Sequence, residues 1–204
     1  MPSTRVRVAA ALGALSAVAI VASCGNSSPT DQHAAQSSVT APTSTDATAD
    51  AQPGVHNDAD VAFARDMLAH HVQAIQLSAM VPSNTTNEQL ITLAQKITGE
   101  QEPQLQAFRA WLLQWGEDPN ADNSMHGGMP GMVDQPTIDR LQTLNGPDFD
   151  KLWLQSMISH HQGAIGMAQA EIAHGQNPDA IALAKSIIAT AQAEIDQMKQ
   201  MLGG

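Results

Sequence analysis

Hydrophobic positions along this chain form one continuous run and then four stretches of helical spacing. The run extends from Val8 to Ala22 without a charge, follows Arg5 and Arg7, and ends in Val21-Ala22-Ser23-Cys24. It is shorter than the ~20 apolar residues that cross a bilayer, and it has the charged start, apolar middle and small-residue end of a secretory signal. The last four residues resemble a bacterial lipobox, which predicts cleavage before Cys24 and a lipid on its thiol. From residue 25 to about 55 the chain is Ser, Thr, Ala, Pro, Asp and Gln with almost no large apolar side chain. That is too little to offset the entropy of ordering a core. Residues 1–23 are expected to be a lipoprotein signal peptide and residues 24–56 a lipidated cysteine and flexible linker, with His33 and His56 solvated in or beside it.

Beyond residue 57 the pattern repeats. Asp60, Phe63, Met67, His70, His71, Ala74 and Ile75 recur as Asp150, Trp153, Met157, His160, His161, Ala164 and Ile165, every pair 90 positions apart. The offset continues through Leu93 and Leu183, Ile97 and Ile187, Leu105 and Ile195, and Leu112 and Leu202. Punctuation divides each copy into two helices. The first is predicted from Asn57 or Asp58 to about Met80, stopped by Val81-Pro82. Thr85 and Glu88 have capping-box spacing and open the second, which ends near Trp115-Gly116. Gly99 and Pro103 lie inside it and predict a kink. The third runs from about Pro147 to His174 with Gly175 as its stop, and Asn177-Pro178 opens the fourth, which reaches about Leu202.

Short turns make the partners within each copy antiparallel. A long stretch, 117–146, joins repeat one (57–116) to repeat two (147–204). The expected fold is all-α: a ferritin-like four-helix bundle made of two repeated helical hairpins joined by a long crossover. Up-down-up-down order, with the crossover folded over one end, is the competing topology.

Composition removes several function classes. The 204 residues carry 9 Lys+Arg against 20 Asp+Glu, a net charge of -11, so no positive field attracts nucleic acid. Losing residues 1–23 removes two arginines and no acid, which leaves the mature chain at -13. One cysteine excludes an intramolecular disulfide framework and a multi-cysteine metal site. No serine has a nucleophile-elbow context, so hydrolase chemistry has no support. The unusual counts are 10 Met and 8 His.

On a helix, Asp150, Trp153, Met157, His160, His161 and Glu171 share one broad face, and Asp60, Phe63, Met67, His70 and His71 repeat the arrangement with Val81 at the Glu171 position. Neighbouring histidines are 100° apart, so each pair turns to opposite sides of that face, and a Met one turn earlier can share an ion. One such residue alone is ordinarily core. Two His-His pairs at equivalent positions, each preceded by Met, point instead to metal or proton chemistry, with Asp60, Asp150 and Glu171 as possible supporting carboxylates. Hydrogen bonding of the pairs to Asp60 and Asp150 is the structural alternative. In the crossover, Met125, His126, Met129 and Met132 sit on a Gly- and Pro-rich backbone. Neutral thioether sulfur suits Cu(I), and imidazole accepts both oxidation states of copper. A hydrophobic latch is the other reading of these methionines.

The doubled D-x2-[FW]-x3-M-x2-H-H-x2-A-I pattern, with Gly-Met-Pro-Gly-Met at 128–132, resembles the domain of unknown function 305 family over about residues 57–202. The resemblance implies a ferritin-like four-helix bundle, and some bacterial members are exported copper-binding proteins connected with copper tolerance. Carried onto this chain, it points to Met67, His70, His71, Met157, His160 and His161, with Met125, His126, Met129 and Met132 from the crossover, as metal ligands.

The first expectation is therefore a copper-binding lipoprotein, anchored to the cell membrane through Cys24 on the extracytoplasmic side, that favours Cu(I) and buffers or hands it on without catalysing a reaction. A ferritin-like oxidoreductase with an iron or other di-metal centre is the alternative. Such centres need two Glu-x-x-His motifs, and among Glu100, Glu102, Glu171 and Glu194 only Glu171 stands three residues before a histidine, His174. A third reading is a metal-free module that docks an unidentified protein partner.

Overall fold

The computed structural model describes residues 54–121 and 128–203. The signal run, Cys24, His33 and the linker to residue 53 lie outside these residues, as do Met125 and His126. Among the described residues there are five helices and no strand: α1 (Asp58–Asn84), α2 (Glu88–Gln114), α3 (Gln135–Thr143), α4 (Gly146–His174) and α5 (Pro178–Gly203).

Most ends follow local chemistry. Asn57 caps α1 by accepting from the backbone N–H groups of Ala59 and Asp60, while Asp60 accepts from the backbone N–H of Asn57. Asn177 caps α5 in the same way through Asp179 and Ala180. Gly116, at φ +79, closes α2; the N–H of Glu117 reaches the Leu112 carbonyl and that of Gly116 the Leu113 carbonyl. A left-handed glycine satisfies the last carbonyls in this way.

Three boundaries differ from the sequence expectation. Helix α1 continues through Pro82 to Asn84. Proline removes one N–H, but it leaves the final turn intact, and Thr85 N–H closes that turn on the Val81 carbonyl. The cap of α2 is Asn87, not Thr85; its side chain accepts from Gln89 and Leu90, and Thr85 Oγ1 instead accepts from the N–H of Asn87. The crossover contains α3, which was not foreseen. Asp134 caps it, Pro136 sits in its first turn, and Leu141 is its buried residue.

The long helices pair as α1 with α2 and α4 with α5, and the two hairpins meet chiefly through α1 and α4. Near the α1 N-terminus, Asp60 binds the α4–α5 turn; near the α4 N-terminus, Asp150 binds the α1–α2 turn. Helices α1 and α4 therefore run antiparallel. The crossover climbs between them: Pro130 lies beside His70, Val133 beside Gln73, and the Leu144 carbonyl beside Asn84. The order is up, down, down, up.

Two apolar clusters lie on either side of the histidine level. One contains Leu77, Leu93, Ile97, Leu141, Phe149, Trp153, Met157 and Ile195, so all five helices contribute. The other contains Phe63, Met67, Phe108, Leu112, Ala164, Ala168 and Ile187. Each fully buried large side chain stabilises the fold by about 1.5–3 kcal/mol. Trp153 also donates its indole N–H to the Leu77 carbonyl at 2.9 Å, which joins α4 to α1. His56, expected to be solvated, is stacked on Trp115 with ring centroids 4.8 Å apart, so the folded body begins before residue 57.

Candidate metal centre

Antiparallel packing of two copies of one helix brings equivalent residues together where they cross. His70 of α1 and His160 of α4 meet there, with ring centroids 3.6 Å apart and planes at 35°. Their neighbours turn outward to opposite partners. His71 Nε2 lies 2.7 Å from Gln104 Oε1 on α2, and His161 Nε2 lies 2.8 Å from Glu194 Oε2 on α5. All four imidazoles are at most 2% exposed.

Burial, reinforced by the neighbouring imidazole of His71, pushes His70 down to about 3. Burial, with His161 adding to it, pushes His71 down to about 4. His160 is held well below the usual imidazole range by burial first and His70 second. These three rings are neutral at neutral pH, the form that ligates metals. Among the described residues, neither ring nitrogen of His160 nor Nδ1 of His71 has a hydrogen-bond partner. Buried polar atoms are ordinarily paired with protein, ordered water or a bound ion, so these nitrogens are open to any of them.

The strap formed by Met129, Pro130, Gly131 and Met132 crosses α4 over this level. It is held at two equivalent positions by opposite means. The Gln73 amide donates to the Val133 carbonyl and accepts from the Val133 N–H. At Gly163, ninety residues later, a Cβ would sit 1.9 Å from the Pro130 oxygen, so only glycine admits the strap. The Pro130 carbonyl lies 3.3 Å from His70 Nε2. Met129 and Met132 are half-buried on the strap. Met132 lines a shallow groove with Ser156 and Ser159 on the α4 side. Met67 and Met157 are fully buried one helical turn from the histidines, each in a different apolar cluster.

The other side of the histidines opens on a small cavity of about 20 Å³ lined by His71, His160, His161, Glu100, Gln104 and Glu194. Lys96 Nζ reaches Glu194 Oε1 at 3.2 Å and Glu100 Oε1 at 3.5 Å. Burial would raise the Glu194 carboxyl, but its hydrogen bond to His161 and the Lys96 charge outweigh that and lower it. Burial and the Glu194 charge raise Glu100.

The carboxylates expected to support the histidines do not reach them. Asp60 and Asp150 lie ten residues before His70 and His160, about 15 Å along the helix axis. Asp60 accepts from the backbone N–H groups of Asn57, Gln176 and Asn177. Asp150 accepts from the Asn87 side chain. Glu171 lies against Asp60, and burial first and then Asp60 push its carboxyl up to about 8. Sharing a helix face does not bring side chains together when ten or eleven residues, and so about 15 Å of rise, separate them along the axis, which is why these three were misplaced. The pattern did not single out Gln104 and offered Glu194 only as a candidate helix carboxylate, although each stands 33 residues after a paired histidine at the 90-residue offset.

Among the described residues, no three His, Cys, Asp or Glu side chains are drawn together as a preformed metal cage. The unpaired nitrogens and nearby thioethers nevertheless fit a soft, low-coordinate ion better than a hard one. Among the described residues, no helix is long and apolar enough to cross a membrane.

Several solved structures are similar to this chain. A structure described as "putative secreted protein DUF305" from Streptomyces coelicolor is 32% identical, with TM-score 0.66, covering 71% of this chain and 91% of its own. A DUF305 fragment from Deinococcus radiodurans is 31% identical, with TM-score 0.67, covering 72% of this chain and 97% of its own. CopM in its Cu(I)-bound form is 31% identical, with TM-score 0.61, covering 70% of this chain and 94% of its own. CopM is also seen bound to Cu(II) and to Ag. No curated protein matches the chain. The domain of unknown function DUF305 matches residues 60–202, and the chain belongs to that family.

Proposed function

We propose that this protein binds copper outside the cytoplasm, favouring Cu(I), and buffers it or hands it on. The supporting observation is the buried His70–His160 contact, whose imidazoles are held neutral beneath a methionine-bearing strap. In this reading the four long helices form a ferritin-like bundle. His70 and His160, with His71 and His161 behind them, hold the ion; Met67 and Met157 lie one turn away, Met129 and Met132 form the strap side, and Met125 and His126, which lie outside the described residues, are proposed as further ligands. CopM, seen with Cu(I), Cu(II) and Ag, supports the choice of metal. The secretory run ending at Cys24, and the neighbour described as secreted, support an extracytoplasmic location with a lipid anchor.

Burial keeps His70, His71 and His160 unprotonated at neutral pH, so binding through them displaces few protons there, and the acidic surface concentrates cations near the domain. Titration of the purified mature protein with Cu(I) against a competing chelator is expected to give near-stoichiometric binding. Changing His70, His71, His160 and His161 to Ala is expected to remove most of it. An unchanged titration curve in that variant, shown folded by circular dichroism, overturns the assignment. Cys24→Ser is expected to release the protein from the membrane fraction, and retention there would refute the anchor.

A further inference from the structure

The groove where α1 packs on α4 is filled at one end of the molecule and hollow at the other. Towards the α4 N-terminus, Phe149, Leu152, Met80 and Val81 join an apolar cluster that Leu141 of α3 completes. Ninety positions away their equivalents are Ala59, Ala62, Ala170 and Glu171. Three large side chains are thus alanines, and α3, held to Asn84, lies at the opposite end. The result is a cavity of about 160 Å³ between α1 and α4, walled also by Phe63 and Met167. A water occupies about 30 Å³ of liquid, so the space admits a molecule of about five heavy atoms.

The cavity holds a buried acid. Glu171 is 1% exposed, whereas Ala62 and Ala170 beside it are exposed. Its carboxyl donates a hydrogen bond to Asp60, and neither of its oxygens receives one from the described residues. Gly175 makes room for it, because a Cβ there would overlap Glu171 Oε1. The first copy has Val81 and Thr85 at these two positions, so the acid and the space for it occur together. Asp60 is held as a carboxylate by the backbone N–H groups of Asn57, Gln176 and Asn177. Among the described residues no Lys or Arg lines the cavity. A second carboxylate beside Asp60 therefore needs a cation from outside. Apolar walls around one buried polar group are the usual form of a small-molecule site.

We propose that this cavity binds a small organic cation, a short primary alkylammonium, with its charged head on Glu171 and its chain along Phe63 and Met167. Below about 8 the arriving ammonium displaces the Glu171 proton to solvent and leaves a carboxylate–ammonium pair. The titratable groups around Glu171 are Asp60 and Asp66 of α1 and His174 of its own helix, and the α4–α5 turn presents neutral Gln176 and Asn177. The site is independent of the copper reading, since Glu171 stands eleven residues from His160, about 16 Å along α4.

The test is a calorimetric titration of the mature protein, purified in detergent, with n-butylammonium and with its neutral counterpart 1-butanol, from about pH 6 to about pH 8.5. The amine keeps its charge throughout, since such groups titrate near ~10.4. One butylammonium is expected to bind, at least tenfold tighter than butanol at the upper pH. Its affinity is expected to rise about tenfold per pH unit up to about 8, as one proton is released. Glu171→Gln is expected to weaken the amine at least tenfold and to remove that rise. Ala62→Leu, which installs the side chain of the equivalent Leu152 at an exposed position, is expected to abolish amine binding and leave Cu(I) binding unchanged. It decides the matter if Glu171→Gln does not fold. Amine binding that survives Ala62→Leu, equal affinity for butanol, or no saturable binding in the wild type overturns this site and leaves the copper reading standing.

Discussion

The two ends of the molecule are built from equivalent residues and held in different ways. At one end Asp60 is fully buried and gathers three backbone N–H groups, while Glu171 lies against it. At the other end Asp150 receives one amide hydrogen bond from Asn87, its second oxygen has no partner among the described residues, and Val81 stands where Glu171 would be. A duplicated chain keeps the geometry of a turn while its stabilising chemistry diverges, because caps tolerate many solutions and packing tolerates few.

The largest expected effect is at that contrast. Asp60→Ala should lower stability by about 3 kcal/mol, since hydrogen bonds to a charged acceptor are the stronger kind, whereas Asp150→Ala should cost about 1 kcal/mol. Urea midpoints at unchanged m-value measure both, and equal losses would break the contrast.

The strap comes next. Gly163→Ala should destabilise by about 2 kcal/mol, because a methyl group must displace the Pro130 carbonyl. Gln73→Ala, which removes two hydrogen bonds and adds no clash, should cost about 1 kcal/mol. If Gly163→Ala melts like the wild type, the strap is not seated at Gly163 in solution.

The smallest effect is a slope. Glu171 holds its proton up to about 8 in the folded protein against an ordinary 4.5, so the folded state binds a proton that the unfolded chain releases. This contribution to stability is full below about 4.5 and is lost as pH rises towards about 8. The depressed histidines act in the opposite direction: their contribution is full above 6.5 and is lost as pH falls towards about 4 and then about 3. Glu171→Gln should remove this slope from the metal-free profile between about 4.5 and 8 and leave the profile below about 4.5 unchanged. A slope between pH 6.5 and 8 that survives in this variant would assign it to another group.

The sequence carried much of this fold and less of its site. The 90-residue offset identified both hairpins, and Asn177-Pro178 and Gly116 placed helix ends because a cap is a local event. Helix α3 was obscured by the Gly- and Met-rich residues before it, though Asp134 and Pro136 signalled its start. The contact of His70 with His160 depends on where α1 and α4 cross, a tertiary fact that no spacing within one helix encodes. Glu194 was legible in principle through its equivalence to Gln104.

The contact between His70 and His160 has a consequence for how such a centre can change. Two separate, identical hairpins meeting at this crossing would be related by a two-fold axis, with the histidine at the crossing opposite its own copy. Any substitution would then appear twice about the axis. A carboxylate at the Gln104 position would come as a pair, burying two like charges beside the same imidazoles. Fusion into one chain lifts that constraint, so a single acid can be introduced on one side while the other keeps its amide.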